Sequence, residues 1–274
     1  MSLIQAIIIA IIEGITEFLP ISSTAHMKFA NPLIGVQHSA FTDLFEIVIQ
    51  LAAILSVVVL YYKQFFDFKK IGFYLKLVIA LIPAIVAGVL LKKHIDAMLG
   101  NLWFIAVVMI VGGVILIFID RLFTKPSIHS QDQVTNKNAF VIGCYQVLSV
   151  LFPGLSRSAA TIIGGLSQKL DRKTAAEFSF FLAVPTMLAA SVKSAWDVHK
   201  TNPEVFSKDS MTMLALGSGV AFVVALLAVK FFITYLQRHG FRLFGYYRIA
   251  AGSLIIFLLW KGSLSMHCTK FLKT

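Results

Sequence analysis

Six apolar stretches, at roughly 44–62, 71–91, 102–119, 178–192, 213–233 and 245–260, are each long enough to cross a bilayer. That count constrains the fold more than any motif does. In hydrocarbon every backbone N–H and C=O has to be satisfied within the protein, so such stretches fold as helices. Of the 274 residues, 58% are hydrophobic and 14% charged, whereas soluble domains carry about 45–50% apolar and about 25% charged residues. A soluble globule, a disordered chain, a coiled coil and a collagen-like rod are all excluded. The expected class is an all-α polytopic membrane protein with one integral-membrane domain over 1–274. Pro83 interrupts the second stretch, Pro185 the fourth, and Gly217 with Gly219 the fifth.

Lys and Arg outnumber Asp and Glu by 24 to 13. The basic residues lie mostly in short connections between apolar runs, where topology accounts for them, so no nucleic-acid partner is expected. Cys144 and Cys268 are far apart and have no CxxC or histidine spacing, so neither a disulfide framework nor a metal cluster is indicated. The opening MSLIQAIIIAIIEG lacks the basic start and the small-residue cleavage site of a signal peptide.

Two further regions are apolar but too short and too broken to span. Leu3–Ile12 leads into EGITEFLPISSTAHM, and Ala139–Phe152 leads into PGLSRSAATIIGG. Each reads as a short helix, a proline, a serine-rich turn and a second short helix, the pattern of a re-entrant hairpin. A shift of 133 places Pro20 on Pro153, Ser23 on Ser156 and Glu13 on Gln146. Each half, about 1–119 and 139–260, then holds one re-entrant hairpin followed by three spans. Three is odd, so the second half is inverted relative to the first. Inverted repeats built on broken helices place a polar site where the two breaks meet, here between 13–26 and 146–161. Connections 63–76, 120–138, 167–177 and 230–248 carry fourteen Lys and Arg against nine on the other side, a lean that makes the first side cytoplasmic.

Glu13 and Glu17 lie one helical turn apart in apolar surroundings. Placing one carboxylate at the bilayer centre costs about 2.5 kcal/mol or more, so a proton, a metal or a cationic partner is expected beside them. A solvated helix end is the plainer alternative. Ser22, Ser23, Thr24 and His26 follow Pro20; they read either as a helix cap or, with the two carboxylates, as a hydroxyl nucleophile, bases and a proton carrier. Arg157 sits among Ser156, Ser158 and Thr161 between apolar runs. An always-charged guanidinium with hydroxyls at a helix start is an oxyanion binder, and phosphate fits it best. A structural ion pair with Glu13 or Glu17 is the other reading. Glu46 and Gln50 open the first full span and Glu177 the matching one, with helix packing favoured for Gln50. The phenylalanine-rich FDFKKIGF and FSFFLAVP are expected to face lipid or the interface.

With EGITEFLPISSTAHM and PGLSRSAAT, the chain resembles the undecaprenyl-pyrophosphate phosphatase family, the membrane phosphatases associated with bacitracin resistance, over nearly its whole length. The resemblance implies hydrolysis of undecaprenyl pyrophosphate to undecaprenyl phosphate, which recycles the lipid carrier of bacterial cell-wall synthesis. It also implies a multi-pass protein of the bacterial cytoplasmic membrane, with a site open to the periplasmic face. Carried over, the first motif supplies Glu13, Glu17, Ser23 and His26, with a divalent cation such as Mg²⁺ near the glutamates. The second supplies Ser156, Arg157, Ser158 and Thr161. Ala25 and Ala159 stand where the family commonly has glycine.

The expected mechanism has Arg157 and its hydroxyl neighbours clamp the diphosphate while Ser23, or a water, attacks the terminal phosphorus. Glu17 is the preferred base, Glu13 holds the cation or orients Glu17, and His26 shuttles a proton or replaces Ser23. The prenyl chain lies in a lipid-facing gap between the halves. The rival reading is an ion-coupled transporter or a lipid-phosphate flippase, which shares the inverted-repeat plan but does not require the Ser23–His26 cluster. A structural scaffold fits poorly with so many polar groups at membrane depth. The oligomeric state is left open, a homodimer included.

Overall fold

The computed structural model describes residues 1–202, 205 and 207–262. The tail KGSLSMHCTKFLKT lies outside the described residues beyond its first two positions, and Cys268 with it. Among the described residues there are six helices long and apolar enough to cross a membrane. They are α3 (Ala40–Leu60), α5 (Ile71–Leu90), α7 (Leu102–Leu122), α10 (Arg172–Thr201), α11 (Lys208–His239) and α12 (Arg242–Trp260). Four shorter helices stand before the three-span sets: α1 (Leu3–Thr16), α2 (Ser23–Leu33), α8 (Asn136–Leu151) and α9 (Arg157–Ser167). Two small helices, α4 (Tyr62–Phe65) and α6 (Lys92–Leu99), fill connections in the first half. The expected all-α polytopic membrane protein is what the chain forms.

The prolines and glycines do not break the spans. Both α5 and α10 run through Pro83 and Pro185 as single helices, and α11 runs through Gly217 and Gly219. Gly217 has a packing reason: a Cβ there would lie 2.5 Å from the ring of Phe45 on α3. The outward face of α5 is an apolar stripe of Leu75, Val78, Ile82, Ile85 and Val89. Its inward face, with Phe73, Leu77, Ala80, Ala84 and Ala87, is mostly small. Large apolar groups outside and small ones inside are the reverse of a soluble helix and suit a lipid-surrounded one. FSFFLAVP departs from expectation: Phe178, Phe180 and Phe181 are buried. The reason is placement, because α10 packs on α3, α5, α9 and α11 and its first half is enclosed by them.

Helix packing follows an exchange pattern. The first helix of each hairpin packs on a span of the opposite half, α1 on α11 and α8 on α5. Glycine permits both approaches. A Cβ on Gly14 would lie 2.9 Å from Ala221 O, and one on Gly143 would overlap the backbone of Ala80. The pairs α7–α12 and α3–α10 join corresponding spans of the two halves. At one end of the bundle Asp120 on α7 accepts from Arg172 Nε at 2.7 Å and from the Phe241 amide at 2.8 Å, a further tie between halves.

Candidate active site

Both hairpins turn in the same unusual way. Ser22 caps α2 with φ 72° and Ser156 caps α9 with φ 76°. A non-glycine residue at positive φ stores about 1–3 kcal/mol and persists only where its surroundings enforce it. Each serine Oγ accepts the amide three residues on, from Ala25 at 3.4 Å and Ala159 at 3.3 Å. The capping geometry therefore matches Ser22 with Ser156, where the sequence alignment matches Ser23. The second turn, Pro-Gly-Leu-Ser, is one residue longer than Pro-Ile-Ser. Ala25 and Ala159 are both buried inside the first turns of these helices, where an alanine is at home.

The turns meet through Glu17, the C-cap of α1. Its Oε2 accepts from Ser23 Oγ at 2.6 Å and its Oε1 accepts from Arg157 Nη2 at 3.2 Å. Arg157 opens α9 and donates its Nη1 to Ser179 O at 3.0 Å, while its buried Nε–H has no partner. Serine, carboxylate and guanidinium thus form one chain across the two hairpins. Such an order is that of a hydroxyl nucleophile, its base and the group that orients the base. The ion pair expected of Arg157 forms with Glu17.

A cavity of about 210 Å³ opens on this chain, lined by Glu17, Ser22, Ser23, Ser156 and Arg157, with Gln50 of α3 and Ile95 and Leu99 of α6. It lies between the halves on the side where α3 and α7 begin. A second cavity, about 290 Å³, adjoins it and is lined by Glu13, Asp43, Glu46 and Lys28. Thr24 and Gln50 line both cavities and form the partition. Glu13 and Glu17 therefore open into different chambers, although their carboxylates are neighbours. Glu46 takes a hydrogen bond from Asn31 Nδ2. Glu177 is remote, pairing with Lys173 at 3.9 Å and Tyr61 at 3.4 Å.

Three expected site residues face elsewhere. Ser158 donates to Leu19 O at 2.9 Å and pairs with Ser156 Oγ at 3.0 Å. Thr161 is fully buried, bonded to Arg157 O at 2.9 Å and Ser179 Oγ at 2.6 Å. Neither lines the cavity; their hydroxyls brace the two turns and α10 instead. Ser158, one residue along the helix from Arg157, points to another face, whereas Thr161 shares the Arg157 face one turn on and is taken up by Ser179 behind the guanidinium. His26 likewise turns away, with Nδ1 on Ser22 O and Nε2 on Tyr247 Oη, both at 2.7 Å. The sequence reading missed Ser179, Tyr247 and Arg248. Arg248 was counted among connection cations, yet it is fully buried in α12. Its place, six residues into the last span, was the available signal.

For a divalent cation the fit is partial. Among the described residues no three His, Cys, Asp or Glu side chains gather as a metal cage. Glu13 Oε1, however, is buried without a partner beside Glu17. One or two carboxylates suffice for Mg²⁺, which usually takes its remaining ligands from water and substrate phosphates.

Fold and site together define a multi-pass membrane protein in which a serine, a glutamate and an arginine meet between two helix turns. The chain belongs to the bacitracin resistance protein BacA family, whose model matches residues 6–254. It is 52% identical over 259 residues to an undecaprenyl-diphosphatase of Flavobacterium johnsoniae, covering 94% of this chain and 96% of that one. Undecaprenyl-diphosphatases of Porphyromonas gingivalis and Bdellovibrio bacteriovorus are 48% and 46% identical, each over 96% of this chain and 98% of theirs.

Proposed function

We infer that the protein is an undecaprenyl-diphosphatase, releasing inorganic phosphate from undecaprenyl diphosphate and returning the monophosphate carrier to cell-wall synthesis, with bacitracin resistance as the consequence. The observation that carries the catalytic assignment is the Ser23–Glu17–Arg157 chain. Ser23 Oγ attacks the terminal phosphorus and passes its proton to Glu17 Oε2. The bond from that phosphorus to the bridging oxygen breaks, and undecaprenyl phosphate leaves with the proton from Glu17, which restores the carboxylate. Water, deprotonated by the same carboxylate, then cleaves the seryl phosphate and regenerates Ser23. Arg157 neutralises the charge spread over the equatorial oxygens, the main requirement of phosphoryl transfer. A transporter needs no hydroxyl aimed at a carboxylate, so this contact favours the hydrolase.

Glu13 and Glu17 would hold a divalent cation delivered with the diphosphate, and the ion would supply charge neutralisation there. Purified protein is expected to release phosphate from undecaprenyl diphosphate, more slowly by about tenfold or more after chelation of divalent ions. Unchanged rates in chelator remove the cation from the scheme. No release at all, from folded protein that binds the lipid, returns the flippase reading.

The two hairpins are proposed to be re-entrant and the halves about 1–119 and 139–260 to be inverted repeats, supported by the exchanged packing of α1 with α11 and α8 with α5. In the cytoplasmic membrane the more basic side faces inward, and the site then opens outward to the periplasm. Ser39 and Asn101 cap α3 and α7 and are exposed on the cavity side. Cysteines at these positions are expected to react with an impermeant thiol reagent from outside intact cells. Labelling confined to inverted vesicles reverses the orientation.

A further inference from the structure

The last span carries neither signature motif, yet its Arg248 is fully buried and gathers five backbone carbonyls. Nη1 donates to Pro20 O at 3.1 Å and Leu155 O at 2.8 Å; Nη2 donates to Gly154 O at 2.8 Å and Val108 O at 3.4 Å. Nε donates to Met109 O at 3.1 Å. Pro20 belongs to the first turn, Gly154 and Leu155 to the second, so one guanidinium spans both. Gly112 on α7 makes the room, since a Cβ there would overlap the guanidinium. Among the described residues no carboxylate is recorded as an ion-pair partner of Arg248.

Its neighbour Tyr247 reaches the first turn by a second route. A carbonyl only accepts, so His26 Nδ1 donates to Ser22 O, and in the neutral ring Nε2 accepts from Tyr247 Oη. The two rings also stack at 5.6 Å. Consecutive residues of α12 therefore hold the carbonyls of Pro20 and, through His26, of Ser22, the residue before Ser23. A trans peptide aims its C=O and N–H in opposite directions. Anchoring Leu155 O on Arg248 thus turns the Ser156 amide away from Arg248, and Ser156 lines the diphosphate cavity.

We propose that α12 is a latch that fixes the two hairpin turns relative to each other, with Arg248 and Tyr247 as positioning residues for the Ser23–Glu17–Arg157 chain. A packing role alone would be served better by an apolar side chain, because a buried charge without a counter-charge is costly. What an apolar residue cannot do is hold three turn carbonyls and two of α7 in one plane. The proposal rests on the assignment of Ser23, Glu17 and Arg157 as the reaction centre.

The test uses the full chain in detergent, with kcat, KM and the thermal unfolding midpoint measured for Arg248→Lys and Tyr247→Phe. Lysine keeps the charge but cannot span both turns; it is expected to lower kcat about 100-fold, the scale of a misplacement near 1 Å. Phenylalanine keeps the ring and its packing, and is expected to lower kcat about fivefold with KM and midpoint unchanged, on the same argument. In a His26→Ala background Tyr247→Phe is expected to add no further loss, because both act through one connection. A folded Arg248→Lys or a Tyr247→Phe with kcat within about twofold of wild type overturns the latch, as does a full additional loss in the His26→Ala background. Where Arg248→Lys does not fold, the Tyr247 results decide. Retained turnover in Arg157→Ala would instead overturn the reaction-centre assignment, a separate outcome read on a separate residue.

Discussion

Arg157→Ala is expected to reduce phosphate release by a factor of about 10³ or more, the range by which an arginine acting on a phosphoryl group matters. Two losses combine. The cavity loses the guanidinium on its wall, and Glu17 loses the donor on Oε1 that orients it toward Ser23. Arg157→Lys separates them, because an ammonium supplies charge without the planar fork that reaches Ser179 O and Glu17 together. Its rate is expected to lie between wild type and alanine, about 10² below wild type. Steady-state phosphate release, with lipid binding measured in parallel, checks both. An alanine variant with most of its turnover removes the phosphate-binding role of Arg157.

Ser23→Ala is expected to lower turnover on the order of 10⁶-fold, as removal of an attacking hydroxyl does elsewhere. The 2.6 Å contact with Glu17 Oε2 aims the hydroxyl proton at the base before substrate arrives. His26 does not substitute, since both ring nitrogens are committed to Ser22 and Tyr247 on the far side of the turn. Rapid quenching of the wild type with labelled diphosphate is expected to trap a seryl phosphate. An alanine variant within about tenfold of wild type assigns the attack to water and leaves Glu17 as its base.

The separation of Glu13 from the cavity beside Ser23 and Arg157 changes how the acidic motif reads. At i and i+4 the two glutamates share a helix face, and one role for both follows naturally from spacing. Helix α1 ends at Thr16, however, and Glu17 stands at its C-cap beside the turn. One carboxylate looks across to Ser23 and Arg157; the other looks into a chamber shared with Asp43 and Glu46. Gln50, for which packing was the favoured role, is part of the wall between them.

The sequence by itself determined the membrane class, the six spans and the two short hairpins, because apolar length and the demands of backbone hydrogen bonding leave few alternatives. It also singled out Glu17, Ser23 and Arg157, because charge and hydroxyl groups at membrane depth have to be compensated. Only the tertiary structure decided which of the nearby polar groups meet. Ser158, Thr161 and His26 sit within a turn of Arg157 or Ser23 and face away from the cavity, and a one-residue difference between the two turns moved the alignment of Ser23 to Ser22. Arg248 lies more than eighty residues from either signature, and it joins them through backbone carbonyls, which every residue type possesses and no motif records.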